Sequence, residues 1–157
     1  MTSADAKIVS LEIVGLQFVP TLLPLGKNFR ALMDLKLQSI GLEVGQDQLL
    51  LAITETNSNL VSKLADQLNV RPSTLSKMTD KLAEKGLVLR GKSPADGRVT
   101  VLHLTEEGSR MQAEVRELYG LLEGELRDAL EPDGNEDMRM GLTAIAVALS
   151  KRLSRLR

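Results

Sequence analysis

The sequence predicts a mainly α-helical chain carrying one small β-hairpin, and three observations point there. Of the 157 residues 43% are hydrophobic but only 2% aromatic, so Leu, Val, Ile and Met must fill the core, which suits helix-on-helix packing. Apolar residues recur at alternating three- and four-residue spacing toward both ends of the chain. Between those stretches, two short β-branched or leucine-rich runs flank a segment rich in Gly, Pro and Asp, the pattern of strand, turn and strand. The length and a charged fraction of 26% fit one soluble globular domain.

The first stripe runs through Ile8, Leu11, Gly15, Phe18, Leu22, Leu25, Phe29 and Leu32. Pro20 and Pro24 each lack an amide hydrogen and collide with the preceding turn, which predicts a short arm, a kink or break near Val19–Pro24, then a helix stopping at Gly41. Leu42 to Gln46 reads as a connection and Gln48 to Glu55 as a compact apolar helix. Thr56–Asn59 is polar turn chemistry, and Val61 to Leu68 is a short helix with Val61, Leu64, Ala65 and Leu68 facing inward. After the tight turn Asn69–Val70, Pro72 opens a helix at the position where its missing hydrogen costs nothing. That helix buries Leu75, Met78 and Leu82, reaches about Lys85 and stops at Gly86. Leu87–Arg90 and Val99–Leu104 form the hairpin. Thr105 caps a helix whose first turn holds Glu106 and Glu107, favourable at the positive end of its dipole. Met111, Val115, Leu118, Leu122 and Leu126 continue it until Pro132, Asp133 and Gly134. A last helix repeats the rhythm at Met138, Leu142, Ile145, Leu149 and Leu156. Lys151, Arg152, Arg155 and Arg157 most simply complement its negative end, with DNA contact as the lesser alternative.

Charge is segregated. The net value is −1, yet Lys63 to Arg98 holds eight bases against four acids, while Thr105 to Met138 holds eleven acids against three bases. A basic segment beside an acidic one gives a directional field, which matters more to a polyanion than the total. With no cysteine, disulfides, thiolate metal sites and a thiol redox switch are excluded together. His103 stands alone as the one histidine, without metal-ligand spacing around it, and no glycine-rich phosphate loop is present; neither an enzyme nor a metal or other cofactor is expected. Ile8 to Leu25 is apolar, but Glu12, Gln17 and the prolines interrupt it and no small-residue cleavage site follows, so no membrane span is expected and the protein reads as cytoplasmic.

The order helix, helix, short turn, helix, hairpin describes a winged helix-turn-helix. Its second helix must present short polar and basic side chains if it is to reach base edges in a major groove about 12 Å wide. With the apolar residues turned inward, the outward set is Ser73, Thr74, Ser76, Lys77, Asp80 and Lys81, and those nearest the N-terminus lie deepest. An ordinary solvated helix face is the plain alternative for that set. Arg98, behind Asp96 and Gly97 at the hairpin tip with Lys92 nearby, suits a narrow minor groove where negative potential is focused. Asp96, unfavourable beside phosphate on its own, is read as orienting Arg98 or Arg71. Arg71 precedes Pro72 where a capping Ser or Asp is usual and is available to a phosphate.

The stretch Val61-Ser-Lys-Leu-Ala-Asp-Gln-Leu-Asn-Val-Arg-Pro-Ser-Thr-Leu-Ser-Lys-Met-Thr-Asp-Lys-Leu-Ala-Glu-Lys-Gly-Leu-Val resembles the DNA-reading helices of the MarR (multiple antibiotic resistance regulator) family. Asp96-Gly-Arg98 and Leu104-Thr-Glu-Glu-Gly108 look like that family's wing and the start of its long fifth helix, and Gly41-Leu42 followed by Gln48 also fits. The two N-terminal prolines are atypical. The resemblance implies one winged-helix domain: residues 1–42 as a dimerisation arm and helix, 46–104 as the winged helix-turn-helix, and 105–157 as C-terminal dimerisation helices. It further implies a homodimer reading a pseudo-palindromic operator in double-stranded DNA. Operator affinity would be modulated by a small aromatic or phenolic ligand, for which Phe18, Phe29, Arg30 and Tyr119 are candidates. Independently of the family, long apolar stripes at both ends of a small chain are hard to bury in a monomer. Competing readings are a constitutive regulator or architectural DNA binder, and a winged-helix module used only for protein contact.

Overall fold

The structure is a computed structural model that describes residues 16–54, 59–93, 95–130 and 135–156. Its elements are α1 (Phe18–Ser39), α2 (Gln46–Ala52), α3 (Val61–Gln67), α4 (Pro72–Glu84), β1 (Val88–Lys92), β2 (Thr100–Leu104), α5 (Glu106–Asp128) and α6 (Asn135–Ser154). They fall into two compact units, one reaching to Arg116 and the other running Glu117–Arg157. The expected loop at Pro132–Gly134 and the stripe positions Ile8, Leu11 and Gly15 lie outside the described residues.

Three helices of the first unit end in the same way, and the sequence says why. At the ends of α1, α3 and α4 the chain turns left-handed at Gly41 (φ 76°), Asn69 (φ 52°) and Gly86 (φ 71°). In each case that residue and the next donate back into the last turn: Gly41 to Gln38 and Leu42 to Leu37, Asn69 to Asp66 and Val70 to Ala65, Gly86 to Ala83 and Leu87 to Leu82, all at 2.9–3.0 Å. The final carbonyls are thereby satisfied, and the residue after each turn folds onto the helix it has just left. Leu37 with Leu42 and Leu82 with Leu87 are buried pairs of this kind.

Those turns deliver one core. Leu37, Leu42, Leu49, Leu50, Leu64, Leu75, Leu82, Val88, Leu102 and Val115 are buried, drawn from α1 to α5 and both strands. Each such side chain contributes about 1.5–3 kcal/mol of burial, so truncating one near the centre, such as Leu75→Ala, costs roughly 2–5 kcal/mol. The strands pair antiparallel from Val88↔Leu104 to Lys92↔Thr100. The hairpin root is stitched to the helices by a bridge between Leu60 and Val101 and by buried Asn59. The Asn59 amide donates to the carbonyls of Thr54 (2.8 Å) and Leu102 (3.1 Å), and its oxygen accepts from the Thr54 N–H. From the other side Gln112 of α5 donates to the carbonyls of Leu50 (2.6 Å) and Ile53 (2.9 Å), closing the C-terminus of α2.

Two expectations need correction. Of the kink or break expected near Val19–Pro24, the break is absent: α1 is one helix with Pro24 inside it. Pro20 falls in the first turn, where amides have no intrahelical partner to lose, so only Pro24 removes a helical hydrogen bond. Further on, α2 starts at Gln46 rather than Gln48. Gly45 takes φ 98°, and the Asp47 carboxylate accepts its N–H at 2.7 Å, so the polar pair Gln46–Asp47 is buried in the first turn instead of lying in a connection.

Candidate nucleic-acid interface

Helix α4 separates its faces sharply. Leu75, Thr79 and Leu82 are buried, and the Thr79 hydroxyl is satisfied by donating to the Leu75 carbonyl at 2.9 Å. Arg71, Ser73, Thr74, Ser76 and Lys77 are all exposed at the N-terminal end. Arg71 is the N-cap, in extended conformation, and makes no side-chain cap; its carbonyl instead accepts the N–H groups of Thr74 (2.9 Å) and Leu75 (3.0 Å). Its guanidinium is therefore not used to hold the helix start.

The hairpin lies against this helix through one residue that sequence reading passed over. Val88, Arg90 and Lys92 alternate along β1 and share a face, so burying Val88 aims Arg90 at α4. There its guanidinium meets the Asp80 carboxylate at 2.7 Å and approaches the Ser76 carbonyl at 3.4 Å. Asp80, assigned from sequence to the outward face, is thus the anchor that ties the hairpin to α4. The one available signal was the alternation of β1, which sets Arg90 on the face of a core residue.

At the hairpin tip the chain closes in a defined turn. The Val99 N–H donates to the Asp96 carbonyl (3.0 Å), the Ser93 N–H to the Val99 carbonyl (2.9 Å), and the Arg98 N–H to the Asp96 carboxylate (2.9 Å). Asp96 therefore fixes the backbone of Arg98, not its guanidinium: no ion pair joins Asp96 to Arg98 or Arg71 among the described residues. Arg98 and Lys92 are exposed. Lys81 differs from the other expected cations, since its ammonium donates to both oxygens of Glu43, at 2.9 and 2.7 Å. That hydrogen bond above all holds the Glu43 carboxyl below its ordinary pKa; desolvation opposes it, and the charges of Lys81 and Lys85 each add a smaller lowering.

The four candidate effector residues fall on two helices. Phe18, Phe29 and Arg30 are exposed along α1, and Tyr119 is half-buried on α5. Eleven helical residues separate the two phenylalanines by roughly 16 Å along the axis, too far for one small phenolic acid to touch both. His103 is exposed on β2, and no group of acids or histidines suited to a metal occurs among the described residues. No described helix is long and apolar enough to cross a membrane.

A buried three-helix core, a polar basic helix on its surface and a hairpin braced against that helix define a winged helix-turn-helix protein. Residues 42–100 match the model of the MarR family. The chain is 26% identical over 155 residues to YhbI, an uncharacterized HTH-type transcriptional regulator of Bacillus subtilis (strain 168), covering 97% of this chain and 98% of that one. It is 34% identical over 91 residues to the HTH-type transcriptional repressor IacR of Pseudomonas putida, covering 55% of this chain and 54% of the repressor. The crystal structure of the S. aureus MepR–DNA complex superposes with a TM-score of 0.76 at 20% identity, over 85% of this chain and 98% of that one, a likeness of fold. Residues 42–100 thus carry a MarR-type winged helix, and the chain as a whole resembles regulators of transcription rather than enzymes.

Proposed function

We propose that this regulator acts as a cytoplasmic homodimer that binds a pseudo-palindromic operator in double-stranded DNA, as a repressor whose affinity a small ligand modulates. One observation carries the DNA reading. Arg71, Lys77, Lys92 and Arg98 stand exposed on α4 and the hairpin, and none of them makes an ion pair among the described residues. Cations left unpaired beside short hydroxyl side chains are what a phosphate backbone and base edges require. Ser73, Thr74, Ser76 and Lys77 would enter the major groove, Arg98 the adjacent minor groove, and Arg71 and Lys92 would meet phosphates. A chromosomal operator supports a cytoplasmic location.

The pairing of two copies is supported by apolar surface. Phe18, Leu23 and Leu35 of α1 are exposed by 70%, 61% and 68%, and α6 has no buried residue along its 20 positions. A homodimer would cover these helices and set two recognition helices on one duplex face. Ligand control rests on family resemblance, and within α1 only Phe29 and Arg30 are close enough to share a small acid.

The test is a gel shift of the purified protein on its own upstream intergenic DNA beside a random duplex, across a salt series, with wild type and Arg98→Ala. The wild type should prefer the intergenic duplex and lose affinity steeply with salt, by about 0.9 in log–log slope per phosphate contact. Arg98→Ala should bind more weakly without losing its fold. Indifference to every duplex in dilute buffer would overturn the reading.

A further inference from the structure

The C-terminal half of α4 is tied to the turn between α1 and α2 by a cluster of polar contacts. Lys81 donates to both Glu43 oxygens, and Lys85, one turn on, donates to the Gly41 carbonyl (2.7 Å) and to the Gln46 side-chain oxygen (3.0 Å). Gln46 is buried, and the same oxygen accepts the Glu43 N–H at 3.1 Å, so Glu43 is fixed through its backbone as well as its carboxylate. Lys81 follows Lys77 by four residues and so shares its side of the helix. The two lysines differ in one respect: Lys77 makes no ion pair among the described residues, whereas Lys81 is neutralised within the chain.

The Lys81–Glu43 pair lies in water, its side chains 51% and 56% exposed. An exposed pair of this kind is weak and easily exchanged. A phosphate is an acceptor of the same geometry for an ammonium group. On the reading of α4 as the DNA-facing helix, we infer that Glu43 is an internal competitor of the DNA backbone: Lys81 trades this carboxylate for a phosphate on binding, and Glu43 thereby attenuates affinity. Because phosphate contacts carry no sequence information, the attenuation falls on operator and random DNA alike, and it limits retention at wrong sites.

Glu43→Gln isolates this role, since it keeps the size of the side chain and leaves the backbone N–H bonded to Gln46. The expected result is tighter binding to both duplexes, roughly two- to fivefold per protomer, the range spanned by an exposed ion pair. The log–log salt slope should stay close to the wild-type value, because Lys81 meets the phosphate in both proteins. In a Lys81→Ala background the same substitution should leave the affinity unchanged. Unchanged or weaker binding by Glu43→Gln overturns the inference, and so does equal tightening in the Lys81→Ala background, which would make Glu43 a plain repulsive charge. Wild-type protein that binds no duplex overturns the DNA reading and this inference together, whereas a binding wild type with an indifferent Glu43→Gln overturns this inference alone.

Discussion

Gly108 stands where helix α5 begins against the carbonyl of Leu87, and an added Cβ there would lie 1.9 Å from that oxygen. The oxygen is fixed, because it accepts the Thr105 N–H at 3.1 Å, and Thr105 is fixed in turn by donating its hydroxyl to Gly86 while accepting the Gly108 N–H. Backbone on both sides leaves nothing to step aside, so Gly108→Ala should destabilise the protein by about 3 kcal/mol. Urea unfolding would show this as a lowered midpoint at constant slope, and an unchanged midpoint would refute the close approach. Glu43 offers a second test at this scale. Its folded pKa is lowered by the Lys81 hydrogen bond first. Its stabilising contribution is therefore complete above the unfolded pKa and fades as pH falls through the lower folded value. Melting temperatures of wild type and Glu43→Gln should differ at neutral pH by a small amount and converge on acidification. Divergence toward acid would show that the sign is wrong.

Among the elements, what the sequence made legible was whatever is written locally. Pro72 opening α4, Gly86 closing it, Asn69 turning between α3 and α4, and Thr105 capping α5 are each decided within four or five residues, and each sits where the pattern put it. The long-range links that went unread have the opposite property. Gln112 meets Leu50 across 62 residues, Asn59 meets Leu102 across 43, and Lys81 meets Glu43 across 38. Neither partner of such a pair advertises the other, so Gln112 drew no reading from the sequence and a paired lysine was grouped with the outward-facing residues. One trace existed: Gln112 lies three residues before Val115 and ten before Leu122, on the side of α5 that those buried residues mark. At this scale Gln112→Leu is informative, because it keeps bulk and removes both donors. Two buried carbonyls at the end of α2 would lose their partner, at roughly 1–3 kcal/mol each. Chemical denaturation should register a loss of that order, and a neutral result would mean that water replaces the amide.

For the whole molecule the deciding feature is the character of α6. Met138, Leu142, Ile145 and Leu149 line one side of that helix, and Met140 and Val147 lie on the opposite side. A helix apolar on two sides needs neighbours on both. Leu142 and Leu149, two turns apart, are 44% and 53% exposed in the single chain. In the proposed homodimer these leucines are covered by the partner, and carboxylates placed there would be desolvated without counter-ions. Leu142→Glu combined with Leu149→Glu should therefore yield monomers in sedimentation equilibrium while the winged module stays folded. Operator affinity should fall by roughly a hundredfold or more, because the second half-site is no longer held at high effective concentration. Arg98→Ala provides the converse, an intact dimer with weakened DNA binding. A doubly charged α6 that still sediments as a dimer and binds as wild type does would remove this helix from the interface and leave α1 as the surface through which two copies meet.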